Sequence, residues 1–161
     1  MRRICLCLTF LCLLAMTARP VFAADGKVIK VLPQFLDAGG RASLDPSLYE
    51  RDAYQAWLRK HPLERTGLQL AVQWKASPVD WTKVKLRAEL RGVVGNSTTN
   101  VTLELPVKKT GLFSTWTYLK LDGDNFQKLG EMAAWRVTLW EGDKLLAELQ
   151  SFLWSGVEKG K

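Results

Sequence analysis

The chain has 161 residues, 47% of them hydrophobic, and 23 Lys and Arg against 16 Asp and Glu, a formal net charge of +7. That length suits a single domain with a core large enough to need no covalent staple. The basic residues are scattered rather than clustered, so no nucleic-acid partner is expected, and three cysteines with one histidine give no metal-ligating pattern.

Residues 1–23 read as a secretory signal peptide. Arg2 and Arg3 supply the positive start, Ile4 to Met16 is an apolar run broken only by Thr9, and Val21 and Ala23 place small residues before the cut. The run is too short for a membrane span, which takes about 20 residues. Cys12 follows Phe10 and Leu11 rather than the small-residue pair that lipidation requires. Removing 23 residues from 161 leaves 138, without a single cysteine, because Cys5, Cys7 and Cys12 all lie in the leader. Arg2, Arg3 and Arg19 leave as well, so 20 basic residues then face 16 acidic ones, a net +4. The expected product is secreted or periplasmic, with no transmembrane segment after cleavage. An exported domain without disulfides points to a bacterial envelope.

In the mature part, residues 24–154 read as one domain and 155–161 as a flexible tail. A strand is expected over Val28 to Asp37, with Pro33 marking an edge or a kink. A helix follows, opening either at Asp45-Pro46 or at the Ser47–Glu50 capping box. Tyr54, Trp57 and Leu58 form its apolar stripe, and His61-Pro62 ends it. Leu68 to Lys75 then alternates, with Leu68, Leu70, Val72 and Trp74 inward and Gln69, Gln73 and Lys75 outward. The cleanest alternation is Val84 to Arg91, where Val84, Leu86, Ala88 and Leu90 oppose Lys85, Arg87, Glu89 and Arg91. Val101, Leu103 and Leu105 face inward in a further strand that Pro106 places at a sheet edge. Asn96-Ser97-Thr98 and Asn100-Val101-Thr102 are glycosylation sequons, used only in a eukaryotic secretory route.

Phe113 to Leu121 is rich in β-formers, though its facing is not fixed by pattern. In Asp122-Gly123-Asp124-Asn125, Asp124 caps one helical turn that Gly130 ends. The same stretch looks like a fragment of a calcium loop but lacks the other oxygen ligands. Ala134 to Trp140 and Leu145 to Trp154 form a hairpin about Gly142-Asp143. Leu145, Ala147 and Leu149 alternate, whereas Phe152 and Trp154 take the opposite parity. Either a bulge near Gln150-Ser151 brings both sets to one core, or the strand is buried on both faces at that end.

Seven strands and one short inserted helix predict a mainly β protein, an antiparallel two-sheet sandwich. The passage Leu119-x-Leu121, Phe126-x-x-Leu129, Trp135-x-Val137-x-Leu139 resembles the strand–corner–strand segment of immunoglobulin and fibronectin type III domains. The resemblance implies architecture alone: the two core cysteines and the corner tyrosine of immunoglobulin domains are not present.

No nucleophile elbow accompanies His61, so no catalytic residue, cofactor or metal is expected, and the chain is read as non-enzymatic. All seven tryptophans lie in the mature part. Trp74, Trp135 and Trp154 sit on apolar faces and are expected in the core. Trp140 shares parity with Arg136 and Thr138, either presented to solvent or packed beneath the inserted helix. Trp81 falls in a loop, and Trp116 has no fixed facing. The expected role is binding of a protein partner, or a structural part in the envelope, with Trp140, Arg136, Arg87 and Arg91 as contacts. The alternative is a carbohydrate-binding module in which Trp81, Trp116 or Trp140 stacks on sugar rings.

Overall fold

The structure, a computed structural model, describes residues 25–108 and 113–155. The leader 1–23 and most of the tail, 156–161, lie outside the described residues. Among the described residues there are seven strands: β1 (Asp25–Leu36), β2 (Gly67–Ser77), β3 (Val84–Val94), β4 (Ser97–Pro106), β5 (Thr115–Asp122), β6 (Glu131–Glu141) and β7 (Lys144–Gln150). Helix α1 (Leu48–Lys60) is inserted between β1 and β2, and helix α2 (Gly123–Leu129) joins β5 to β6. The strands form two antiparallel sheets, β1-β2-β5 and β4-β3-β6-β7. The chain crosses between them after β2, β4 and β5, which is the sandwich architecture that the alternating segments predict.

The core lies between the inner faces. Leu68, Leu70, Val72 and Trp74 of β2 meet Val84, Leu86, Ala88 and Leu90 of β3, with Leu119, Leu121, Val137 and Leu139 completing the layer. The Trp74 indole is wholly buried and donates to Thr117 Oγ1 at 2.9 Å, so its polar atom is satisfied. β1 and β4 are edge strands, as Pro33 and Pro106 require.

Helix α1 stands against the free edge of β1. The Gln55 amide is buried there, accepting from Phe35 N at 2.8 Å and donating to Phe35 O at 3.0 Å and Ala42 O at 2.7 Å. This side chain thus takes the place of a neighbouring strand on an otherwise unpaired edge. Ser47 is the N-cap, but its side chain makes no cap bond; Asp45 Oδ1 instead accepts from Ser47 N at 2.7 Å. Of the expected stripe only Leu58 is buried. Tyr54, Trp57 and His61 stack in sequence along the helix, with ring centroids 5.7 and 4.4 Å apart.

Five further expectations are corrected. Helix α2 is longer than a single turn, and its N-cap is Asp122 rather than Asp124. The bulge in the last hairpin lies not at Gln150-Ser151 but at Leu146, where pairing slips from Leu139 with Ala147 to Trp140 with Leu145. Leu146 is pushed inward against Gly26, while Phe152 is 94% exposed. Trp154 is buried, though not between the sheets. The turn after β7 folds it onto the outer face of the four-stranded sheet, where the Arg91 and Arg136 guanidinium groups lie 3.9 and 4.9 Å from its ring.

Candidate functional site

The outer face of the four-stranded sheet carries Lys85, Arg87, Glu89, Arg91, Arg136 and Trp140, as alternation predicts. Its basic groups are engaged with one another's neighbours. Arg136 Nη2 lies 2.7 Å from Glu89 Oε2, Arg87 and Lys85 both pair with Glu104, and Arg91 Nη1 donates to Trp154 O at 3.0 Å. Arg87 also stacks over Trp140 at 5.7 Å, and the Trp140 indole donates to Thr138 Oγ1 at 2.8 Å. Arg87 and Lys85 together hold the Glu104 carboxyl below the usual carboxylate range. The inserted helix does not cover Trp140, because α1 belongs to the edge of the other sheet. This face is therefore a ladder of arginines, acids and indoles matched within the fold.

Trp81 extends the core at one end of the sandwich, tilted against Trp74 with 6.1 Å between centroids. The two rings, with Thr115, Ser77 and Phe113, line an open cleft of about 330 Å³. His61, the lone histidine, caps α1: its Nδ1 lies 2.8 Å from Trp57 O and its ring stacks on Trp57. Among the described residues no group of three His, Cys, Asp or Glu side chains gathers as a metal site.

A different face is open. On the outer side of the three-stranded sheet, register puts Lys30, Gln73 and Trp116 in one cross-strand row, Leu32, Ala71 and Tyr118 in the next, and Gln34, Gln69 and Lys120 in the third. Trp116 and Tyr118 are 41% and 53% exposed, side by side on β5. Two residues along one strand sets their Cα atoms about 7 Å apart. Ala42, Ser43 and Arg51, leading into and within α1, form the opposite wall of a groove of about 310 Å³. Its floor is Leu32, Ala71 and two buried amides, with Gln69 Nε2 donating to Gln34 Oε1 at 2.8 Å. Gln69 was expected outward and does point to that side, but the connection into α1 closes over it.

The candidates read from sequence thus fall in three places. Trp140, Arg136, Arg87 and Arg91 share one sheet face, Trp81 lines an end of the core, and Trp116 alone stands in the groove. Tyr118, Gln34, Gln69 and Arg51 were missed. The signal for Tyr118 lay in the alternation of Thr117, Leu119 and Leu121 against Trp116, Tyr118 and Lys120. Arg51 and Gln34 come from elements whose approach no local pattern encodes. No family model, curated protein or solved structure matches the chain.

Proposed function

We propose that the protein is an exported, non-enzymatic binding module of the bacterial envelope that takes a glycan in the groove between α1 and β5. The observation that carries this reading is the pair Trp116 and Tyr118, two unstacked aromatic rings left open to solvent on one sheet face. A pyranose ring offers a patch of C–H groups that packs on an aromatic face while its hydroxyls stay hydrogen-bonded. Amides and hydroxyls are the complementary polar groups, and Gln34, Gln69 and Ser43 line the same groove. The groove is rigid at its base, since its floor belongs to two paired strands, β1 and β2.

Recognition of a protein partner through Trp140, Arg136, Arg87 and Arg91 has less support. Each of these groups already holds a partner within the fold, and releasing it leaves an acid, a backbone carbonyl or an indole N–H to be satisfied again.

Retention on immobilised polysaccharides, with Trp116→Ala and Tyr118→Ala as comparisons, tests the proposal. Both substitutions sit on an exposed surface and should leave the thermal transition within about 2–3 °C of wild type. Retention of wild type with loss in either variant supports the reading. Equal retention of all three proteins, or no retention on any polysaccharide, removes it.

A further inference from the structure

The groove's surroundings differ from the other outer face in one respect that concerns its ligand. Lys27, Lys30, Lys75 and Lys120 all project from the outer side of the three-stranded sheet and are exposed. None of the four has an ion pair among the described residues. Asp25, at the start of β1, makes none with them either. Lys27 and Lys75 stand directly opposite each other across β1 and β2. A like-charge cross-strand pair is destabilising where it stands, and here Lys30 adds a third ammonium one row away. On the four-stranded sheet the basic rows are matched within the fold: Lys85 and Arg87 share Glu104, and Arg136 holds Glu89. On the three-stranded sheet Asp25 and Asp122 share the outer face, but neither forms an ion pair with a lysine among the described residues.

Their placement follows the groove. Lys30 lies in the same cross-strand row as Trp116, roughly 10 Å away across two strand spacings. Lys120 follows Tyr118 on the same side of β5. A chain stacked on Trp116 and Tyr118 therefore has ammonium groups on both flanks, separated by about the length of a few residues of strand. A single small anion would use one of these positions; an extended polyanion with repeating charges uses them together.

We infer that the ligand is an acidic polysaccharide, a polymer of carboxylate-bearing sugar residues, held by stacking on Trp116 and Tyr118 and by Lys27, Lys30, Lys75 and Lys120. This rests on the glycan reading above and specifies its chemistry. Neutral sugar chains satisfy the aromatic pair but leave the lysines unmatched. Polyphosphate satisfies the lysines but offers the aromatics no ring face; single-stranded nucleic acid, whose bases also stack on aromatic side chains, is the competing polyanion that the test includes.

The test measures binding of the mature protein to polygalacturonate and to a neutral β-glucan of similar length, by titration calorimetry at low and moderate salt. The expected result is tighter binding to polygalacturonate by about tenfold or more, weakening as salt screens the lysines. The triple variant Lys30→Gln, Lys75→Gln, Lys120→Gln should lose most of that preference and keep its weak affinity for the neutral polymer. A charge-matched control on the other sheet, Lys85→Gln, Arg87→Gln, Arg136→Gln, should keep the preference. Equal binding of both polymers by wild type overturns the acidic-ligand inference while leaving the glycan reading intact; binding of neither overturns both. Loss of preference in the control equal to that in the triple variant shows net charge alone at work and also overturns the inference. So does binding of single-stranded DNA or anionic vesicles as tightly as polygalacturonate.

Discussion

The Tyr54 hydroxyl donates to Asp37 Oδ2 at 2.8 Å, fastening the middle of α1 to the end of β1. Asp37 also accepts from Arg41 N and Gly39 N at 2.9 Å each and from Arg41 Nε at 3.0 Å. Burial alone would raise its carboxyl, but the Arg41 backbone N–H, the Arg41 guanidinium and the Tyr54 hydroxyl outweigh that and bring it to about 2, from an ordinary 3.8. A carboxyl lowered on folding contributes stability that is complete above its unfolded value and is lost as pH falls through the folded one. Asp37→Asn should therefore cost about 2 kcal/mol near neutral pH, and the gap from wild type should close between about pH 4 and pH 2. Thermal unfolding across that range checks it; a gap independent of pH would contradict the assignment.

Gly92 lies where β3 passes beneath the end of α2. A Cβ there would come within 2.0 Å of Leu129 O, the same carbonyl that accepts from Thr99 Oγ1 at 2.7 Å. Backbone cannot yield as a flexible side chain can. Gly92→Ala should destabilise by about 2–3 kcal/mol or more. Denaturant titration measures this, and Gly95→Ser in the neighbouring β3–β4 turn, which has open space around it, is the comparison for a purely local backbone cost.

Trp154 tests whether the arginine–indole ladder supports the fold. Its ring is buried beneath Arg91 and Arg136, yet its Nε1 has no acceptor among the described residues. Trp154→Phe keeps a ring under the guanidinium groups and removes that unpaired N–H, so its cost should stay within about 1 kcal/mol. Trp154→Ala empties the site and should cost about 3 kcal/mol. Neither change should alter retention by polysaccharide, since the groove lies on the other sheet.

Gln55→Ala exposes the backbone of Phe35, which its amide now matches with both a donor and an acceptor. The loss should reach about 2–3 kcal/mol, above that of an ordinary single hydrogen bond. An uncovered strand edge also invites pairing between molecules. Size-exclusion chromatography at rising concentration should show association in the variant but not in wild type.

Where two sides of a strand differ in polarity, the chain was readable. Val84, Leu86, Ala88 and Leu90 are all buried and their alternate neighbours are not, and Gly142, at φ +57°, turns the hairpin as its sequence requires. The same logic put Arg87, Arg136 and Trp140 on one outer face. What alternation leaves open is what else reaches that face. Alternation already placed Glu89 there, but its pairing with Arg136 and that of Glu104 with Arg87 follow from register, and Trp154 arrives by a turn that local parity does not describe. Trp116 and Tyr118 stayed unassigned because in the first half of β5 the inward positions are Thr115 and Thr117 while the outward ones are large aromatics, so polarity does not separate the two sides. The groove itself depends on where α1 docks, which is set by two polar side chains, Gln55 on Phe35 and Tyr54 on Asp37, together with the buried Leu58; of these the apolar stripe marked only Tyr54 and Leu58.

The unequal charge matching of the two outer faces makes the sandwich a molecule with a foot and a back. Settled on an acidic matrix by the lysine-bearing sheet, each copy would turn outward the other sheet, whose arginines and acids are already matched. A layer of such molecules would replace a strongly anionic surface with a nearly neutral one, and would change how that matrix swells, binds cations and meets whatever approaches it next.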